Sequence, residues 1–155
     1  TLLGDLIKGV LPVLLYLRMT RGNIDAYFAP VLAAPVLGHI FPVFYRFKGG
    51  KGIAVSFGCL LGMLPVSQPL LTLAVIYVVL SVGICVSPHY YRTIVTYTLF
   101  AAVTALYNSR FNVSVGITLG CLLISVLIIY RHLKSREAKQ KFTVSFAPLQ
   151  FLIRR

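Results

Sequence analysis

The sequence predicts an all-α membrane protein, a compact polytopic helical bundle of about six transmembrane or partly spanning helices. Three observations predict it. Hydrophobic residues make up 58% of the 155-residue chain, with a mean hydropathy of +0.88. Charged residues make up 12%, about half the share of a soluble domain. The apolar residues are also gathered into six runs with short polar connectors between them. A spanning helix takes about 20 apolar residues, so six use roughly 120 and leave no room for a separate soluble domain. We therefore expect one integral membrane domain over residues 1–132 and a basic cytoplasmic or interfacial tail over residues 133–155.

The first run, Leu2 to Leu17, carries Asp5 and Lys8. Three residues apart, they share a helix face and can pair, and Asp5 suits the positive end of a helix dipole. The second, Tyr27 to Tyr45, is interrupted by Pro30, Pro35 and Pro42. The third, Ile53 to Val66, holds Gly58 and Gly62, and the sixth, Val113 to Tyr130, holds Gly116 and Gly120. Glycines four apart let helix backbones approach closely in lipid. The fourth and fifth runs are Pro69 to Val86 and Ile94 to Tyr107. Several runs are shorter than a full span, which predicts thin, tilted or partly re-entrant helices. Phe142 to Ile153 is broken by Ser145, Pro148 and Gln150, and reads as interfacial or disordered. Cys59, Cys85 and Cys121 lie inside apolar runs without paired metal spacing and read as small buried hydrophobes. The chain starts at Thr1 with no signal-peptide pattern, and reads as a piece of a longer protein.

Fifteen Lys and Arg face three acids, Asp5, Asp25 and Glu137, for a net charge of +12. The basic residues sit between apolar runs rather than along one face, which points to anionic headgroups and phosphorylated small molecules, not nucleic acid. If all six runs span, one side of the membrane holds 12 of the 15 basic residues; Arg18, Arg21 and Arg110 are on the other. Positive residues favour the cytoplasm. The Lys-Gly connector around residue 50 and the tail are therefore both expected there.

The most informative stretch runs from Gly38-His39 through Phe41-Pro42 to Lys48-Gly49-Gly50-Lys51-Gly52. Its glycines let successive amide N–H groups point into one anion-binding concavity. Lys48 and Lys51 add charge, and Arg46 a bidentate donor. An ATP-binding loop is excluded: Lys51 is followed by Gly52 rather than Ser or Thr, and position 46 is Arg. His39, an ionisable residue in an apolar run, is the candidate proton acceptor for a hydroxyl nucleophile. Arg131-His132 ends the sixth run on the same predicted side as the glycine loop; snorkelling anchors are the generic explanation. His89, in an aromatic and basic anchor, is assigned no chemistry, and no metal site is expected.

These residues resemble a known family. Gly38-His39, Phe41-Pro42 and Lys48-Gly49-Gly50-Lys51-Gly52 are similar to the central motif of the bacterial membrane glycerol-3-phosphate acyltransferases that use acyl-phosphate. Gly4-Asp5-Leu6-Ile7-Lys8-Gly9 with Pro12 resembles the segment just before it, and Arg131-His132 the start of the third motif. The likeness covers about residues 2 to 132. It implies a bundle of seven helices, here without the first, and an active site facing the cytoplasm. The implied reaction moves a fatty acyl chain from acyl-phosphate to the 1-hydroxyl of glycerol 3-phosphate. The products are lysophosphatidic acid and inorganic phosphate, in the first step of phospholipid synthesis, with no cofactor.

The implied site places one phosphate on Lys48, Lys51 and the backbone of Gly49, Gly50 and Gly52, and the second on Arg131 and His132. Asp5 and Lys8 line the pocket. His39 orients or deprotonates the hydroxyl, or a substrate phosphate oxygen takes that proton. Membrane lipids and an upstream enzyme that makes acyl-phosphate are the implied partners. Two features depart from the family pattern. A Gly-Ser-Gly-Asn-type loop that would precede Thr1 is absent, and Ser135-Arg136 stands where the third motif has Asn-Ile. The competing reading is a non-enzymatic transporter or a lipid- or phosphate-binding module. It lacks paired intramembrane carboxylates and paired half-repeats.

Overall fold

The structure is a computed structural model, and it describes residues 2–43, 49–64, 66, 68–83, 86–87, 89–111, 114–134 and 143–144. Its helices are α1 (Leu2–Met19), α2 (Phe28–Ile40), α3 (Ile53–Leu61), α4 (Gln68–Val78), α5 (His89–Phe111) and α6 (Val115–Leu133), each on one of the six apolar runs. A π-helical turn, Val79–Gly83, continues α4. Two-residue strands β1 (Val86–Ser87) and β2 (Thr143–Val144) pair antiparallel. This ladder gives Thr143 and Val144 a defined place in a stretch expected to be interfacial or disordered.

The helices close into a ring. α1 packs on α3, α3 on α4, α4 on α5, α5 on α6, α6 on α2, and α2 back on α1, with α2 also touching α3 across the middle. Phe28, Leu32, Val36 and Ile40 of α2 meet Ile117, Cys121, Ile124 and Ile128 of α6 in the core, with Val55, Cys59, Tyr97 and Phe100 alongside. Cys59 and Cys121 are buried, as expected; Cys85 lies outside the described residues.

The outside is apolar too. Leu3, Ile7, Leu11 and Leu15 form an exposed stripe at four-residue spacing along α1. Leu119, Leu123, Val126 and Tyr130 form an exposed stripe at three- and four-residue spacing on α6, as do Leu71, Val75 and Val78 on α4. In water such continuous faces would be a large unfavourable patch; against lipid tails they are matched. Length divides the helices. Among the described residues only α6 is long and apolar enough to cross a membrane by itself. α2, α3 and α4 have 13, 9 and 11 residues, and at 1.5 Å per residue α3 reaches only about 14 Å of a core about 30 Å thick. Thin helices are thus present, but not where the runs are shortest, since α2 and α4 lie on the long second and fourth runs and only α3 lies on a short one. α5 has the length but carries Arg92 and several Thr residues, so the apolar run underestimates it at both ends.

Small residues set the packing distances. A Cβ added at Gly58 would collide with the Leu6 carbonyl, and one at Gly62 with Val10, so Gly58 in α3 and Gly62 just past its end lie against the backbone of α1. Gly116 and Gly120 lie against Asp25 and Leu32, bringing α6 onto α2. The expected glycine packing is thus realised in both pairs. Gly9 adds a third close approach, against Val55 and Cys59.

Two turns point the ends of the bundle. α1 ends where Gly22 N–H donates to Leu17 O at 2.7 Å, with Arg21 and Gly22 at φ +52° and +79°. At the other end Gly52, at φ +80°, opens α3; this left-handed conformation disfavours a Cβ.

Gly58→Val tests the α1–α3 contact: overpacking a tight interface costs about 1–3 kcal/mol. Its thermal midpoint in detergent is expected to fall clearly below that of the parent chain, and an unchanged midpoint would contradict the packing.

Candidate active site

The connector after α2 folds back onto the end of α2. Phe41 N–H donates to Leu37 O at 2.9 Å and closes the helix, and Pro42, which has no N–H to donate, follows. The chain then returns so that Gly50 N–H donates to His39 O at 3.2 Å. Gly49 sits against the carbonyls of His39 and Ile40, where a Cβ would collide with both. The space where Gly50 would carry a Cβ is filled by the His39 ring at Nε2. The glycine loop and His39 therefore meet only because positions 49 and 50 have no side chains.

A cavity of about 510 Å³ opens at this junction, lined among the described residues by Lys8, Pro35, Gly38, His39, Pro42, Gly49 and Gly50. α1 brings two charges to it. Asp5 Oδ1 lies 3.6 Å from Lys8 Nζ and also 3.6 Å from His39 Nδ1. Both distances suit ion pairing but exceed a good hydrogen bond. The Asp5 and His39 side chains are 24% and 18% exposed, while Lys8 is 69% exposed. The acid is thus held inward between a fixed cation and an imidazole. With Nδ1 towards Asp5, the neutral ring that carries its proton there has its lone pair on Nε2, on the glycine side.

The loop is held from the far side by α6. Arg131 Nη2 donates to Gly49 O at 2.9 Å, and Nε donates to Gly50 O at 3.3 Å. The guanidinium fork spans two successive carbonyls, a geometry that Lys cannot copy. Phe41 and Tyr130 pack beside it, with ring centroids 6.3 Å apart. His132 is 2% exposed, with Nδ1 at 2.9 Å from Ile128 O, and is not among the described residues that line the cavity.

The expected residues separate accordingly. Asp5, Lys8, His39, Gly49 and Gly50 come together. Gly52 opens α3 just beyond, in contact with Ile40, and Lys51 is exposed beside it. Lys48 and Arg46 lie outside the described residues. Arg131 reaches the site through the loop carbonyls. The amide nest differs from expectation at one position, since Gly50 N–H is committed to His39 O.

A family model described as glycerol-3-phosphate acyltransferase matches residues 1–138. The chain belongs to the glycerol-3-phosphate acyltransferase family. A glycerol-3-phosphate acyltransferase of Neisseria meningitidis serogroup C (strain 053442) is 37% identical over 148 residues, which cover 90% of this chain and 70% of that protein. One of Shewanella loihica is 38% identical over 146 residues, covering 89% of this chain and 66% of the relative. The solved structure of PlsY (YgiH), an integral membrane glycerol 3-phosphate acyltransferase in its lysophosphatidic acid form, superposes with a TM-score of 0.66 at 27% identity, over 88% of this chain and 64% of that one. The chain thus spans about two thirds of the length of the proteins it matches, and its fold is that of an integral membrane acyltransferase.

Two features of the site were not visible in the sequence. Asp5 pairs with Lys8 as expected but is not among the described residues lining the cavity, and its second partner, His39, is 34 positions away (39 − 5). The usable signal was that ionisable groups in apolar runs pair with one another. Pro35 lines the cavity one helical turn before His39, and i, i+4 spacing places it on that face.

Arg131→Lys keeps the charge but loses the two-carbonyl fork. We expect a loosened loop, seen as a several-fold rise in the Michaelis constant for the phosphorylated acceptor with a folded bundle. Kinetics identical to the parent chain would show that the fork is dispensable.

Proposed function

We propose that this chain transfers a fatty acyl group from acyl-phosphate to the 1-hydroxyl of glycerol 3-phosphate, releasing inorganic phosphate and forming lysophosphatidic acid. The observation that carries the reading is the cavity where Lys8, His39 and the Gly49–Gly50 turn converge, with Asp5 behind it paired to both Lys8 and His39, in a chain of this family. The family match also weighs against the non-enzymatic transporter or binding-module alternative.

Acyl-phosphate is an activated donor, so no covalent enzyme intermediate is required. The hydroxyl oxygen attacks the acyl carbon, a C–O ester bond forms, and the bond from the acyl carbon to the phosphate oxygen breaks. Both substrates bear phosphate, so the site must hold like charges together. Lys8 at the cavity and Lys51 beside it supply positive charge, and Lys48, with the Gly49 and Gly52 amides, completes a phosphate site on the loop, the Gly50 N–H being spent on His39 O. Arg131 holds that loop in shape, and His132 supports the end of α6 beneath it. Positioning the hydroxyl against the acyl carbon supplies much of the rate.

The proton leaves the hydroxyl for His39 Nε2. Asp5 keeps the ring in the tautomer that can accept it and stabilises the imidazolium that forms. In the alternative route a phosphate oxygen of the substrate takes the proton, and His39 only orients the hydroxyl.

Residues 1–132 act as one acyltransferase domain, with 133–155 as a basic tail at the same face. The site faces the cytoplasm of a bacterial cell membrane that the chain crosses several times. The bias of basic residues, 12 of 15 on the glycine-loop side, supports that orientation. An acyl-phosphate-producing enzyme supplies the donor.

The test is phosphate release from palmitoyl-phosphate by the purified chain in detergent, with the lipid product identified by mass. Release that requires glycerol 3-phosphate and yields lysophosphatidic acid is expected. Acceptor-independent release, or no release at all, would contradict the proposal. With His39 as base, His39→Gln should lower turnover about 10²-fold or more and remove the lower limb of the pH–rate profile. A variant that keeps that profile would assign the proton to the substrate.

A further inference from the structure

The end of the bundle opposite the active site has a cavity of its own, with different chemistry. Asp5 and Arg18 stand at the two ends of α1, 13 residues apart (18 − 5), or about 20 Å. α2 starts at this far end and finishes at the active site, and α3 runs the opposite way. Between the end of α1 and the end of α3 lies a cavity of about 530 Å³, in the size range of small-molecule sites. Leu14, Leu17, Ile24, Met63 and Val66 make its wall apolar, and Arg18 is the one charged residue among its described lining.

Two observations set the charge of an occupant. The Arg18 side chain is exposed and makes no ion pair or hydrogen bond among the described residues. Asp25, the acid at this end, is already engaged, accepting from Tyr16 OH at 3.2 Å and from Tyr27 N–H at 3.0 Å. A guanidinium at the mouth of an apolar pocket at the membrane boundary is complementary to a phosphate ester joined to a hydrocarbon chain. Arg21, held at φ +52° in the turn that follows, puts a second cation at the same end.

We infer that this far-side cavity binds an anionic phospholipid of the surrounding bilayer, its phosphate on Arg18 and part of one acyl chain against the Leu14–Met63 wall. The site is separate from the acyl-transfer cavity and does not depend on the catalytic reading. A lipid held there would fill the gap between α1 and α3, the pair whose Gly9, Gly58 and Gly62 contacts carry the active-site helices.

Native mass spectrometry of the full chain, delipidated and then titrated with phosphatidylglycerol or phosphatidylcholine, tests this. The parent chain should retain one phosphatidylglycerol about tenfold more tightly than phosphatidylcholine, and Arg18→Gln should erase that preference. Leu14→Trp, which fills the cavity without touching the charge, should weaken both lipids. Acyl transfer by Arg18→Gln, measured in parallel, should stay at the parent rate. Equal retention of the two lipids by the parent chain, or a preference undiminished in Arg18→Gln, would overturn the inference. So would undiminished lipid binding by Leu14→Trp.

Discussion

The site depends on one close approach, the return of Gly49 and Gly50 onto the C-terminal end of α2. Gly50 N–H caps the His39 carbonyl, and the missing side chains at both positions leave room for the His39 ring and the last carbonyls of the helix. Without that contact His39 would face an open cavity and the basic loop would have no fixed relation to it. Arg131 then locks the return from outside through the two loop carbonyls. A loop rich in glycine has high entropy when free. It becomes a precise site because backbone carbonyls at the end of one helix and a guanidinium on another define it at both faces.

The same rule recurs through the bundle. Glycines at 9, 58, 62, 116 and 120 each admit a neighbouring backbone or side chain that a Cβ would exclude. In lipid there is little hydrophobic gain from bringing helices together, so close packing must supply the cohesion. α1 and α3 meet through three of these positions. α1 carries Asp5 and Lys8, and α3 begins where the glycine loop ends. The distance between the charged side chains and the loop is therefore set by glycine contacts one to three turns away.

Most of the fold was legible in the sequence. Six apolar runs became six helices, and paired glycines marked real interfaces. What was hidden had physical reasons. α5 exceeds its apolar run because hydroxyl side chains can bond back to their own helix, as Ser109 Oγ does beyond the run to Leu106 O at 2.7 Å. α3 stops at Leu61 although apolar residues continue, because residues 62–64 leave the helix in tight turns. At the site, residue types named the donors but not their targets. Arg131 reads equally well as a phosphate ligand or as a clamp on carbonyls, and only the loop's return decides that it grips Gly49 and Gly50. Asp5 is a natural partner for Lys8 three residues away, and no local pattern reveals that it also faces His39 across two helices.

The most direct test of this account is the acyl-transfer rate of Gly50→Ala beside its thermal midpoint in detergent. A single methyl at position 50 enters the space of the His39 ring. The account predicts a bundle that stays folded and loses most of its turnover, because the loop and the imidazole can no longer share one cavity. A folded Gly50→Ala chain with the parent rate would show that this close approach does not build the site.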